Sequence, residues 1–249
     1  MEEQEIVYPS LLIAFPTHQG KIMADMVSEL LMLQGQATQM GIDIGYTYLA
    51  GCSLIDVVRN ALAKTFRDSG YQKVLMIDDD VVFRWQDVLQ LLYWSMKYPV
   101  VCATYPSRVE LASLQDRFYI RPYGDKPEFT EDGLLKIQGA GAGFCMVDVD
   151  VFTQLEDKAL PYTGGNVRKG IVEARKIHHN FFPIGIRDGE HHGEDHGFFN
   201  LCVDNGIVPV LDYHIDLGHV GTKVYKASAR GALEAYGWIP KLNLEATPT

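Results

Sequence analysis

Three groups of side chains in this 249-residue chain have types and spacing that could do chemistry. Asp78, Asp79 and Asp80 directly follow the apolar run Val74–Ile77. Consecutive carboxylates repel one another, and a fold that keeps them at a strand end commonly sets a divalent cation or a ligand hydroxyl beside them. Alternate side chains point to opposite faces, so Asp78 and Asp80 can converge on one ligand while Asp79 turns away. The plainer alternative is an acidic turn that caps the next helix. Glu194 and Asp195 open a second predicted helix, where the dipole favours their charge whether they cap or catalyse. His219 sits between Gly218 and Gly221, residues that let backbone approach a ligand closely.

His191, His192 and His196 invite a zinc reading, because His192 and His196 are four apart. The glutamate falls two residues after His192 rather than one, and Gly193 weakens a helix there, so the metalloprotease pattern fails.

These groups need elements to position them. Leu11–Phe15 reads as a strand, and the apolar residues between Ile22 and Leu31 as a helix. Ile42–Leu49 is a second strand, followed by a helix for which Ser53 and Asp56 form a capping box. Val74–Ile77 is apolar enough to be a central strand running into the acidic triplet, with a helix from Gln86 to Met96 behind it. Val100–Thr104 and Phe144–Val147 supply further strands, and Phe118–Tyr123 with Leu134–Ile137 an edge pair. Glu194–Asn205 reads as a helix stopped by Gly206, before the strand Ile207–Leu211. No periodicity is evident from Lys158 to Arg187. The pattern predicts an α/β fold with a mixed sheet.

Composition narrows the function. With 47% hydrophobic and 22% charged residues the chain can bury one sizeable core, and no apolar run approaches the roughly 20 residues that span a bilayer. The acidic start, Met1–Glu5, is unlike a secretory signal, so the expectation is a soluble, cytoplasmic protein. Cys52, Cys102, Cys145 and Cys202 lie more than 40 residues apart among apolar neighbours and read as free thiols. A net charge of -10 argues against general nucleic-acid binding. A local exception is Lys158–Arg187, where six basic residues face Glu173 alone. With Tyr162, His178, His179, Phe181 and Phe182, this stretch is either a grip for phosphates and bases or a solvated insertion.

In order, Ile13–Thr17, Arg59 and Asn60, Val74–Val81, Gly139–Phe144, Glu194–Asp195 and Gly218–His219 resemble the GT-A-fold glycosyltransferases, above all the compact single-domain kind of bacteria and phages. The resemblance implies a Rossmann-type three-layer α/β sandwich with a mostly parallel, mixed central sheet. It implies a catalytic domain over residues 1–222, an acceptor-side insertion at 158–190, and a tail, 223–249, packing back over the donor site. The triplet then corresponds to the family's DxD motif: Asp78, Asp80 and His219 hold Mn2+ or Mg2+, and Asp78 and Asp79 face the donor's ribose and diphosphate. Asp195 is the implied base, with Glu194 its neighbour. Pro16 and Thr17 meet the nucleotide base, Arg59 either reaches diphosphate or base or is a plain surface salt-bridging residue, and Gly141, Ala142 and Gly143 lie beside the donor sugar. Lys223 or Lys226 contacts phosphate.

The implied partners are a nucleotide-sugar donor, a uridine one favoured, and an acceptor that is a glycan or nucleic acid. A phage-encoded enzyme would work in the host cytoplasm. The QxxRW signature of processive synthases is absent, which favours a single transfer. Two other readings stand beside this one: a sugar-nucleotide pyrophosphorylase-like enzyme, whose glycine-rich basic N-terminal loop has no match in Pro16–Gly20, and a non-catalytic nucleotide- or glycan-binding protein.

Overall fold

The computed structural model describes residues 6–109, 118–164, 167–168, 171–172 and 176–241. Strands β1 (Leu11–Thr17), β2 (Ile44–Ala50) and β3 (Lys73–Ile77) lie in the order β2-β1-β3, all parallel. They are joined by helices α1 (Ala24–Gln39) and α2 (Ile55–Arg67). The chain leaves β1 for one neighbour and returns to the other, creating a switch point beside β1, and α/β sheets bind ligands outside the carboxyl ends of strands at such points.

After β3 come the two-residue β4 (Val81–Val82), α3 (Trp85–Trp94), β5 (Val100–Cys102), β6 (Arg121–Pro122), β7 (Leu135–Gly139), β8 (Phe144–Asp148) and α4 (Val149–Leu155). The short strands β9 (Pro161–Gly164), β10 (Val167–Arg168), β11 (Ile171–Val172), β12 (Lys176–His179), β13 (Gly185–Arg187) and β14 (Glu190–His192) form three antiparallel pairs. Helix α5 (Glu194–Asp204), β15 (Val210–Leu211), β16 (Gly218–Val220), β17 (Val224–Lys226) and α6 (Ala229–Ala235) complete the order.

The main sheet runs β2-β1-β3-β8-β5-β15-β7-β6. Of these eight, β8 and β7 run against the other six, so the sheet is mixed but mostly parallel in direction. Alternation along the strands feeds two cores. Leu11, Ile13, Leu75 and Ile77 face Leu33 of α1 and Leu91 of α3. Leu12, Ala14, Val74 and Met76 face Phe66 of α2, Phe152 of α4, Phe198 of α5 and Leu233 of α6. Helices on both faces make the three-layer sandwich. No described helix is long and apolar enough to cross a membrane.

Four local expectations change. Leu54 caps α2 with no side-chain bond, so the Ser53–Asp56 box does not form. The stretch from Lys158 to Arg187 holds hairpin strands whose two- to four-residue runs are too short to leave a periodic signal. Phe181 and Phe182 are 1% exposed and pack on Phe152 and Phe198, so they are core rather than base-stacking platforms. His178 is buried too. Asn60 anchors this turn, donating to Asn180 Oδ1 at 3.0 Å and accepting from the Phe182 amide at 3.1 Å. The side chains of Arg168, Lys169, Glu173 and Arg175 lie outside the described residues, as does the tail beyond 241. Before that point the tail folds into α6, whose Ala229, Ala232 and Leu233 are fully buried.

Candidate active site

The acidic triplet leaves the carboxyl end of β3 at the switch point, with Pro16 and Thr17 ending β1 beside it. The Asp78 amide donates to the Gly143 carbonyl at 3.0 Å, tying the triplet to the Gly139–Gly143 turn. Small residues are required here. A Cβ on Gly143 would overlap the Asp78 carboxylate, and one on Gly141 would lie 2.7 Å from the Tyr105 hydroxyl.

Asp78 and Asp80 have different partners. Arg59, 2% exposed, donates from Nη2 to both Asp78 oxygens at 3.0 and 3.1 Å and from Nη1 to the Ala142 carbonyl at 3.1 Å. Its Nε lies 3.6 Å from Glu194 Oε1 and has no hydrogen-bond partner. Burial disfavours the guanidinium's charge, but Asp78 and Asp195 outweigh it and hold the proton more firmly than in free arginine. Burial pushes the Asp78 carboxyl up against the pull of Arg59.

Asp80 meets the loop after β5 and the strand β16. His219 pairs with Val81 across the β16–β4 ladder, and the Val220 amide donates to the Asp80 carbonyl at 2.8 Å. His219 Nδ1 lies 2.9 Å from the Pro106 carbonyl, which can only accept, so Nδ1 carries a hydrogen. Nε2 then faces Asp80 Oδ2 at 3.4 Å. In the neutral ring these are two acceptors face to face, an arrangement completed by a proton or a cation. Arg108 Nη1 also reaches Asp80 Oδ2, at 2.9 Å. Burial raises the Asp80 carboxyl, but His219 and Arg108 prevail and hold it below its ordinary value. Among the described residues no three His, Cys, Asp or Glu side chains converge as a metal-ligand set. Asp80 and His219 come together, Asp78 is taken by Arg59, and Asp79 stands on the turn between them.

Glu194 and Asp195 begin α5 across the glycine turn, and the Ala142 amide approaches Asp195 Oδ2 at 3.4 Å. The two carboxyls are driven apart. Burial, then the bond and charge of Asp195, push Glu194 up to about 8. Burial also raises Asp195, but Arg59, the Glu194 proton and the Ala142 amide hold it below its ordinary value. A protonated acid thus sits beside an ionised one. Glu194, Asp195, Arg59, Ala142 and Asp78 form one connected unit.

Lys223 and Lys226 lie on the β16–β17 hairpin, Lys226 opposite Gly218. With Pro106 and Ser107 they line a cleft of about 270 Å3 behind the His219 loop.

The sequence matches no family profile and no curated protein. Among solved structures, it is similar to 4-diphosphocytidyl-2C-methyl-D-erythritol synthase from Anaerococcus prevotii. The identity is 10% and the TM-score 0.33, over 60% of this chain and 75% of that one.

Two positions in this cluster carry no mark in the sequence. Tyr105 donates toward Asp78 Oδ2 at 3.4 Å, accepts from the Gly143 amide at 3.2 Å, and packs edge-on against His219 at 4.7 Å. Burial and the Asp78 charge keep its phenol protonated. Arg108 is the other. Both follow the carboxyl end of β5, a place in the fold that could have marked them.

Proposed function

We propose that the chain is a glycosyltransferase that moves one sugar from a nucleotide-sugar donor, a uridine diphosphate sugar foremost, onto an acceptor hydroxyl. The observation carrying this reading is the Asp80 Oδ2–His219 Nε2 pair, 3.4 Å apart with its hydrogen placed by Pro106, at the carboxyl edge of the switch point. One carboxylate and one imidazole suit Mn2+ or Mg2+ whose remaining positions come from phosphate oxygens and water. When bound, that cation would offset the charge growing on the departing diphosphate.

The rest follows from the chain's own groups. Asp195, kept ionised by Arg59 and the Ala142 amide, takes the acceptor's proton. The acceptor oxygen bonds to the anomeric carbon as the bond to diphosphate breaks, and the nucleoside diphosphate leaves with the electron pair. Glu194 holds its own proton and so leaves Asp195 as the base. Pro16, Thr17, Asp79 and Gly141–Gly143 line the donor side, and Lys223 and Lys226 face phosphate.

The test incubates the protein with Mn2+, a panel of nucleotide sugars, and glycans or single-stranded oligonucleotides as acceptors. Acceptor-dependent release of nucleoside diphosphate is expected, and release of pyrophosphate in its place would overturn the reading.

A further inference from the structure

Beside the glycine turn, just before the edge strand β6, stands a group of rings that the transfer chemistry does not use. Phe118 and Ile120 are buried in the core, so Tyr119 between them points outward and is 55% exposed. Its ring rests on the imidazole of His196, with centroids 4.5 Å apart. His196 directly follows Asp195 in α5. The imidazole fits because Gly139, at the end of β7, has no side chain: a Cβ there would lie 3.1 Å from the ring.

The exposed ring is firmly backed. His196 packs edge-on against His192, 5.5 Å away. His192 is buried, and its Nδ1 lies 2.8 Å from the side-chain amide nitrogen of Asn200, which can only donate, so Nδ1 accepts. Asn200 Oδ1 in turn accepts from Gln138 at 3.4 Å. Two further rings and an amide pair thus fix Tyr119, and a side chain already fixed binds a ligand with little loss of freedom. Arg121 stands opposite Gly139 across the β6–β7 ladder and makes no ion pair among the described residues. Burial first, then the charges of Arg121 and His192, outweigh Asp195 and hold the His196 imidazole below its ordinary value, so the ring under Tyr119 is neutral.

We propose that Tyr119 and Arg121 form the acceptor subsite and that the acceptor is a neutral glycan, one sugar ring lying on the free face of Tyr119 while Arg121 donates to its hydroxyls. This rests on the reading of Asp195 as the base. The imidazole beneath Tyr119 belongs to the residue after Asp195, so a sugar on this platform is set beside that carboxylate. The electron-rich face of an aromatic ring suits the C–H-bearing face of a sugar. Charge selects a neutral occupant: Asp78–Asp80, Glu194 and Asp195 gather at this end of the sheet in a chain of net charge -10, which repels a polyanion. Single-strand binders line a positive groove with successive exposed rings, whereas Phe181 and Phe182 are core here.

The test measures binding of the full chain to an array of neutral, sialylated and sulfated glycans and to single-stranded oligonucleotides, with and without Mn2+ and uridine diphosphate. Wild type is expected to bind a neutral glycan, and Tyr119→Ala to weaken that binding about tenfold or more, the scale of one lost aromatic stack. Tyr119→Phe, which keeps the ring, is expected to bind as wild type does. Arg121→Gln leaves the stack in place and is expected to weaken the same glycan; it decides the matter should Tyr119→Ala misfold. Wild type that binds no glycan under either condition would overturn the proposal, as would a Tyr119→Ala chain that binds equally well, or a preference for oligonucleotides or charged glycans. Thermal stabilisation by nucleoside diphosphate with Mn2+ is read on the same proteins: its absence in wild type would sink the transfer reading, whereas glycan binding indifferent to Tyr119 sinks this one.

Discussion

Arg59 grips both oxygens of Asp78, at 3.0 and 3.1 Å, from a position 2% exposed to solvent. The same guanidinium faces Glu194 and, through its charge, Asp195. One buried cation therefore serves three carboxyl groups, one just past the end of β3 and two at the start of α5.

Removing that cation leaves buried carboxylates uncompensated. Arg59→Met is expected to lower unfolding free energy by about 3–5 kcal/mol, the usual loss when one partner of a buried ion pair is removed. Urea denaturation checks it. Adding Asp78→Asn to the same chain should recover part of the loss, because the stranded charge is then gone.

Glu194 gives a pH signature. Its carboxyl stands at about 8 in the folded chain against an ordinary value of 4.5, so the folded state holds a proton that the unfolded state releases. The group's contribution therefore makes stability fall as pH rises from about 4.5 to about 8, and levels off above. Glu194→Gln removes this slope. Denaturation midpoints of the two proteins compared across that window should diverge, the variant gaining relative to wild type as pH rises; parallel curves would contradict the assignment.

Gly143→Ala places a methyl group against the Asp78 carboxylate. Overpacking of this kind costs about 1–3 kcal/mol. Thermal unfolding should show the loss, and a Gly143→Ala chain that melts with wild type would contradict this close approach.

Much of the frame was legible because its signals are local. Val74–Ile77 is apolar on both faces, as a strand covered by helices on both sides must be, and the acids after it mark its carboxyl end. The glycine turn also stood out by composition, although its residues turn out to make room for Asp78 and Tyr105. What sequence could not give were relationships between distant elements. Arg59 reads as a group reaching for ligand or as a surface salt bridge, yet it is buried and turned inward by carboxyl groups 19 and 135 positions further on. Phe181 and Phe182 read as part of either a ligand grip or a solvated insertion, because no period shows that they face Phe152 and Phe198. Helix α6, at seven residues, is too short to announce itself.

The most direct test of the account is thermal unfolding with a panel of nucleoside diphosphates, with and without Mn2+, for wild type and Asp80→Asn. Asp80 is half-exposed, at 27%, so the substitution leaves the core intact. One nucleotide should stabilise wild type only when Mn2+ is present, by about 2.7 kcal/mol at a hundredfold excess over its dissociation constant. The variant should lose that gain. No stabilisation by any nucleotide with Mn2+, or an equal gain in Asp80→Asn, would contradict it.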